Sequence, residues 1–293
     1  MTSTLARWLA ILTVWLVPAL CHGQTVRAQA VAEGVWFVQG EAALGSSANR
    51  NFISNAAFVV TDDGVLVIDA LGSPALAEEL LAQIASVTSK PVRYLVVTHY
   101  HADHVYGLQV FKDRGATIIA HSAGREYLNS DTAVLRLQAS RQELFPWIDE
   151  RTRLVPADRW LEADTTLDLG GQRFQIRHAG PAHTREDLVV FAERTRTLFA
   201  GDLMFRGRIP FVGQADSRQW ILSLSRLIDL KPSLVLPGHG PLTREPLQDL
   251  ALTRDYLQHL RKTMGDAARN MEPFDEAYER TDWSRYDRLP LFK

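Results

Sequence analysis

The chain has 293 residues, 46% of them apolar and 23% charged, with a formal net charge of −2. That apolar share matches ordinary globular domains and excludes a chain too polar to build a core. Thirty-two basic against 34 acidic residues leave no excess to attract nucleic-acid phosphates, so no nucleic-acid partner is expected. One cysteine excludes an internal disulfide and a cysteine-rich zinc site.

The N-terminus reads as an export signal. Arg7 supplies the positive start, and Trp8 to Leu20 is a 13-residue apolar run interrupted by Thr13 and Pro18. The run fits the ~7–15 residues of a secretory segment and is short of the ~20 that span a bilayer. Small-residue cleavage sites follow after Gly23 and after Ala30, and either removes Cys21. The expected organisation is a signal peptide over residues 1–23 (or to 30), a main domain over 31–245 and a helical extension over 246–293. The expected location is the periplasm or outside the cell, with no stable membrane span after cleavage.

Past the signal, residues 34–38 predict a strand and residues 40–51 a Gly/Ser/Asn-rich loop. Residues 57–60 and 65–68 are β-branched runs separated by Thr61-Asp-Asp-Gly64, which reads as a hairpin. Ser73-Pro74 opens a helix with an N-cap and a first-turn proline. Its apolar residues Leu76, Leu80, Ile84 and Val87 recur at spacings of three and four. A buried strand is expected over 92–97, a helix over 105–111 and a strand over 117–120. Residues 122–158 read as mostly helical, with Pro146 as a break. Strands follow at 166–169, 174–178, 188–192, 197–200 and 234–236, with helices at 219–230 and 247–264. Strands and single helices alternate in both halves, which favours one α/β domain of two packed sheets with helices outside.

The chemistry concentrates in residues 99–104, His-Tyr-His-Ala-Asp-His, directly after an apolar strand. Side chains of an extended chain alternate faces, so His99 and His101 point the same way and can clamp one ion. A turn after His101 aims Asp103 and His104 toward a second. Imidazole and carboxylate suit zinc and other borderline divalent metals. His183, Asp202 and His239 also lie at strand ends framed by glycine or proline, which is how a rigid scaffold brings side chains to one rim.

Together, Val67-Ile-Asp69, the 99–104 motif, His183, Asp202 and His239 resemble the metallo-β-lactamase superfamily over about residues 33–245. The resemblance implies an αββα sandwich of two mixed sheets, with metals at one edge. It implies that His99, His101 and His183 hold one ion, that Asp103, His104 and His239 hold a second, and that Asp202 bridges them. Asp103 is the implied catalytic residue, orienting the attacking water. Asp69 is expected to orient a ligand from behind, or else to cap a turn. Two Zn2+ ions are the implied cofactors. Aspartate at position 202, where many lactamases carry cysteine, resembles the glyoxalase II-like branch and, being a harder ligand, leaves iron and manganese open.

Substrate choice lies in the loops. Residues 40–51 either flank the cleft or merely connect strands, and Leu144, Phe145 and Trp147 are core or an apolar wall. Arg206 and Arg208 are surface charge or an anchor for an acidic group. The short tail, with its apolar stripe, is expected to dock on the sandwich rather than form a glutathione-binding domain. The resulting expectation is an exported dinuclear zinc hydrolase of a small carbonyl substrate: ester, thioester or lactone. It resembles the periplasmic hydrolases found beside quinoprotein and sulfur-oxidation systems. The alternatives are β-lactam cleavage and a metal-binding or sulfur-redox accessory role without hydrolysis.

Overall fold

Apolar runs in the sequence assemble into two facing sheets in a computed structural model that describes residues 25–292. The predicted signal peptide over 1–23 lies outside the described residues. The first sheet runs in chain order: β1 (Ala28–Ala32), β2 (Val35–Val38), β3 (Ala56–Val60), β4 (Val65–Ile68), β5 (Val92–Val96), β6 (Thr117–His121) and β7 (Arg159–Leu161). Its β1–β4 half is antiparallel and its β4–β7 half parallel. The second sheet has the order β12-β11-β10-β9-β8, from β8 (Thr165–Leu169), β9 (Gln172–His178), β10 (Leu188–Ala192), β11 (Thr197–Phe205) and β12 (Leu234–His239). It is antiparallel except for the β11–β12 pair.

Side-chain alternation divides the apolar residues into three layers. Phe37, Val59, Leu66, Ile68 and Val96 of the first sheet meet Phe174, Ile176, Val190, Phe199 and Leu236 of the second in the central layer. The other face of the first sheet packs under α1 (Pro74–Val87), α2 (Ala102–Val105) and α3 (Leu108–Asp113). The helices α4 (Gly124–Leu128) and α5 (Asp131–Glu143) complete that side. The outer face of the second sheet packs under α6 (Ser217–Asp229) and α7 (Pro246–Arg269), followed by α8 (Phe274–Arg280). Two mixed sheets between helical layers are the expected αββα sandwich. Strands β4 and β10 are buried at every residue, which is why their runs are continuously apolar instead of alternating.

Helix α1 begins as read: Ser73 Oγ accepts from Leu76 N at 3.4 Å, and Pro74 occupies the first turn. Residues 122–158 differ from the expected helical stretch. Helix ends at Glu143, and 144–158 is irregular. There the Arg141 guanidinium donates to the carbonyls of Asp149 and Thr152 at 3.1 and 2.9 Å. That side chain satisfies backbone that a helix would otherwise pair, and Pro146 and Pro156 bar helical continuation. Strand β1 has no strong sequence signal and forms by pairing with β2, Ala28 opposite Val38. Cleavage after Gly23 leaves β1 whole, whereas cleavage after Ala30 divides it.

Candidate metal centre

All seven side chains singled out as metal ligands meet at one end of the sandwich. Strand β5 delivers His99. The chain is still extended at His101 (φ −78, ψ 149) and turns there into α2, which carries Asp103 and His104. His183 stands in the β9–β10 loop, Asp202 within β11 and His239 at the last residue of β12. Two glycines make room. Gly201 sits at φ +51 against the Thr98 side chain, and a Cβ on Gly238 would overlap Asp202 Oδ1.

The ligand atoms converge as two sets. His101 Nδ1 lies 3.0 Å from His99 Nε2 and 3.0 Å from His183 Nε2. Asp202 Oδ2 is 3.3 Å from His183 Nε2 and 3.8 Å from His99 Nε2. In the other set, Asp103 Oδ2 is 3.3 Å from His239 Nε2 and 3.6 Å from His104 Nε2. Asp202 reaches this set too, with Oδ1 3.2 Å from His104 Nε2 and Oδ2 3.3 Å from His239 Nε2. Tetrahedral ligands at ~2.0–2.1 Å from zinc stand ~3.3–3.4 Å apart, close to these separations. The carboxylate of Asp202 therefore completes four donors in both sets.

Hydrogen bonds behind the ligands fix which nitrogen faces inward. Asp69, 2% exposed, accepts from Thr98 N and Thr98 Oγ1 at 2.8 Å each. It also accepts from His104 Nδ1 at 2.9 Å, which turns His104 Nε2 toward the other ligand atoms. Thr98 Oγ1 has given its proton to Asp69, so at 3.1 Å it accepts from His99 Nδ1, turning that Nε2 inward as well. His239 Nδ1 donates to the Ile53 carbonyl at 2.7 Å. Asp69 thus reaches a ring of the cluster as well as the Thr98 backbone.

His104 Nε2 and Asp202 Oδ1 are buried and make no hydrogen bond, although they face each other. Burial pushes the His99 pKa well below the usual imidazole value, with the neighbouring His104 adding to it. Burial likewise lowers His101, and lowers His183 to about 3. These three rings are neutral donors. Burial also opposes charge on His104 and His239, but Asp202 and Asp103 outweigh it, holding His104 well above the ordinary value and His239 at about 9. Burial favours neutral carboxyls, yet His104 and His239 keep Asp103 and Asp202 below the usual carboxylate range. Orphaned donors converging on shared points, in a pocket that draws positive charge onto its own imidazoles, fit metal cations.

Several supporting residues carried no signal in the sequence. Asn55, 3% exposed, joins the sheets: its Nδ2 donates to the Pro237 and Gly240 carbonyls at 2.7 and 2.8 Å, and its Oδ1 accepts from Gly40 N at 3.0 Å. Ser54 Oγ donates to the Asp103 carbonyl. The 40–51 loop therefore leads directly into residues that brace the site. Trp147 packs on that loop, donating from Nε1 to the Ser47 carbonyl at 2.7 Å, while Leu144 is core and Phe145 is exposed. Arg206 is tied to Asp249 at 2.8 Å. Arg208 is not surface charge. It is 7% exposed, its Nη1 lies 3.4 Å from His239 Nδ1, and its guanidinium stands 5.6 Å from the Phe205 ring centre. Phe205 in turn stacks on His239, and the exposed Phe211 ring lies 6.3 Å from His101 and 6.1 Å from His183.

Known proteins resemble this chain in sequence and fold. A metallo-beta-lactamase type 2 from Bacillus cereus is 27% identical over 202 residues, 67% of this chain and 71% of that protein. A probable metallo-hydrolase of Bacillus subtilis is 26% identical over 215 residues, 64% of this chain and 67% of that one. A solved metallo-beta-lactamase from Pontibacter korlensis superposes with a TM-score of 0.64 at 24% identity, covering 80% of this chain and 99% of its own, a likeness of fold. The family model for the metallo-beta-lactamase superfamily matches residues 49–239, from the loop that braces the site to its last histidine. With the matched span enclosing all seven clustered side chains, the chain belongs to the metallo-beta-lactamase superfamily.

Proposed function

We propose that the protein is an exported dinuclear zinc hydrolase that cleaves a small carbonyl compound of the ester, thioester or lactone class. The observation that carries this reading is Asp202, whose carboxylate stands within reach of both ligand sets. His99, His101 and His183 would hold one ion, Asp103, His104 and His239 the other, and Asp202 both. A divalent metal bound there polarises a carbonyl and brings the pKa of water down to about 7.

The chain's own groups divide the remaining work. Asp103 has the more open carboxylate of the two in the centre, 15% exposed at its side chain against 4% for Asp202. Its carboxylate accepts a hydrogen bond from an entering water and fixes the direction of attack. Asp69 and Thr98 hold the His104 and His99 rings so that no reorganisation is needed as charge develops. Phe205 and Trp220 pack around His183 and keep that side of the centre dry.

β-Lactam cleavage is a second reading, favoured by the likeness to the Bacillus cereus metallo-beta-lactamase. Export rests on the N-terminal apolar run; among the described residues no helix is long and apolar enough to cross a membrane. Metal analysis of the purified chain, with a panel of a chromogenic cephalosporin, a glutathione thioester and a lactone, tests the proposal. Two zinc ions per chain with turnover of the thioester or lactone support it. Fewer than two metals, iron in their place, or no turnover on any arm refutes it, and cephalosporin turnover alone selects the second reading.

A further inference from the structure

The site wall formed by residues 205–213 has no helix or strand of its own past Phe205, yet it carries Arg208 and Phe211 beside the ligands. Loops of this kind are ordinarily mobile, and a wall that moves cannot orient a substrate. This one is tied at two points, both by chain beyond the residues that the family model matches. At its base, Arg206 Nε donates to Asp249 of α7 at 2.8 Å, and Arg206 Nη1 donates to the Leu242 carbonyl at 2.9 Å. At its crest, Ile209 N donates to the Pro290 carbonyl at 3.1 Å, across 81 residues of sequence.

The segment that supplies Pro290 is itself anchored. Tyr286 is 3% exposed and packs edge-on against Tyr256 of α7, with ring centres 4.9 Å apart. Arg285 pairs with Asp255 at 3.1 Å, and the Trp283 Nε1 donates to the Tyr278 carbonyl at 2.9 Å. Leu289 and Phe292 pack in the same apolar layer as Ile209 and Val212. Leu289, Tyr286 and Tyr256 also line a small cavity whose other wall is Arg208 and Pro210. The tail therefore touches the loop from behind, on the side away from the ligands.

We infer that the C-terminal strap, Trp283 to Phe292, is a positioning element of the site: by docking on α7 and bonding Ile209, it holds Arg208 and Phe211 as a fixed substrate wall. The inference rests on the hydrolase reading for its effect on substrate, but the docking itself is independent of turnover. None of the strap residues contacts the ligand set. The strap thus governs substrate placement and leaves metal binding alone.

The test compares the wild type, a Leu289→Ala/Phe292→Ala double variant and a chain ended after Arg288. Amide hydrogen exchange at Ile209, zinc content, and kcat and KM for whichever chromogenic substrate the wild type cleaves are measured on all three. Expected are wild-type zinc content, Ile209 exchange faster by about tenfold or more, and a KM raised about fivefold or more with kcat within about twofold. Unchanged Ile209 exchange in both variants overturns the strap, as does zinc loss that parallels the loss of activity. If the wild type cleaves nothing, it is the hydrolase reading that fails, and Ile209 exchange still decides the strap. The double variant keeps the backbone length, so misfolding of the shortened chain does not remove the test.

Discussion

Replacing Asp69 with asparagine separates hydrogen-bond direction from shape. Asp69 sits at φ +60, a left-handed conformation that asparagine adopts more readily than most residues, so Asp69→Asn adds no backbone strain. The wild-type carboxylate accepts three hydrogen bonds: from Thr98 N, Thr98 Oγ1 and His104 Nδ1. An amide has one oxygen. With that oxygen kept on Thr98 N, the NH2 faces His104 Nδ1, which must then accept. The ring proton moves to Nε2, the atom that faces Asp202 and Asp103. With the amide flipped, two N–H groups oppose each other at Thr98 N, and a buried donor is left unpaired at a cost of ~1–3 kcal/mol. The first arrangement is therefore preferred, and it removes a ligand lone pair. Groups in this supporting role are worth ~10–100-fold in metal affinity, or ~1.4–2.7 kcal/mol. Zinc competition against a chromogenic chelator should show one of two ions weakened by that factor, with the melting profile of the metal-free protein nearly retained. Asp69→Asn protein that binds both ions within about twofold of wild type would refute the reasoning, because it would mean that the His104 tautomer is set by something other than Asp69.

Four further outcomes are expected. Asp103→Ala should lower kcat by ~10²-fold or more while the chain stays folded, since the residue is partly exposed and on a short helix; activity within tenfold of wild type contradicts its water-orienting role. Chelation should abolish turnover and lower the melting temperature by about 5–10 °C for each ion present at a hundredfold excess over its Kd, restored by zinc, and an unchanged melt would mean that the cluster holds no resident metal. Gly238→Ala should reduce metal content, because the new methyl displaces the Asp202 carboxylate; full loading would show that β12 can shift aside. Burial, aided by the His178 ring stacked 3.6 Å away, lowers the His121 pKa from 6.5 to about 4 against the opposing pull of Asp164. Native His121 is then neutral while the unfolded chain takes up a proton below 6.5, so its share of stability is full above pH 6.5 and is lost as pH falls toward 4. His121→Asn should flatten the urea-midpoint slope in that window relative to wild type, and parallel slopes would count against it.

The fold was legible where one rule decided the local structure. Continuous β-branched runs marked β4 and β10, and the Ser73-Pro74 start marked α1, because burial and capping act on neighbouring residues. Residues 144–158 were not legible, because two of their carbonyls are taken by the Arg141 guanidinium and other backbone groups pair in turns and with β6, a pattern with no periodicity of its own. Strand β1 was hidden for a related reason: Ala-Gln-Ala-Val-Ala has little strand preference of its own and forms by pairing with β2.

The site divides along the same line. Donor atoms are encoded by residue type, so His99, His101, Asp103, His104, His183, Asp202 and His239 are readable from sequence, and the alternation of an extended chain puts His99 beside His101. What aims those donors is encoded by contact. The Ile53 carbonyl that orients His239 is a backbone atom 186 positions away, and any residue there presents one. Asn55 links two sheets through carbonyls that every sequence carries. Arg208 read as surface charge or an anchor for an acidic group, because sequence cannot show that the chain folds α7 and the strap against the cavity Arg208 lines, with its guanidinium beside His239. The chemistry of this centre is thus written locally in a short His/Asp motif and three strand ends. The aim of its donors is written in long-range contacts such as Ile53 to His239, and the proposed substrate wall rests on a contact that reaches Pro290.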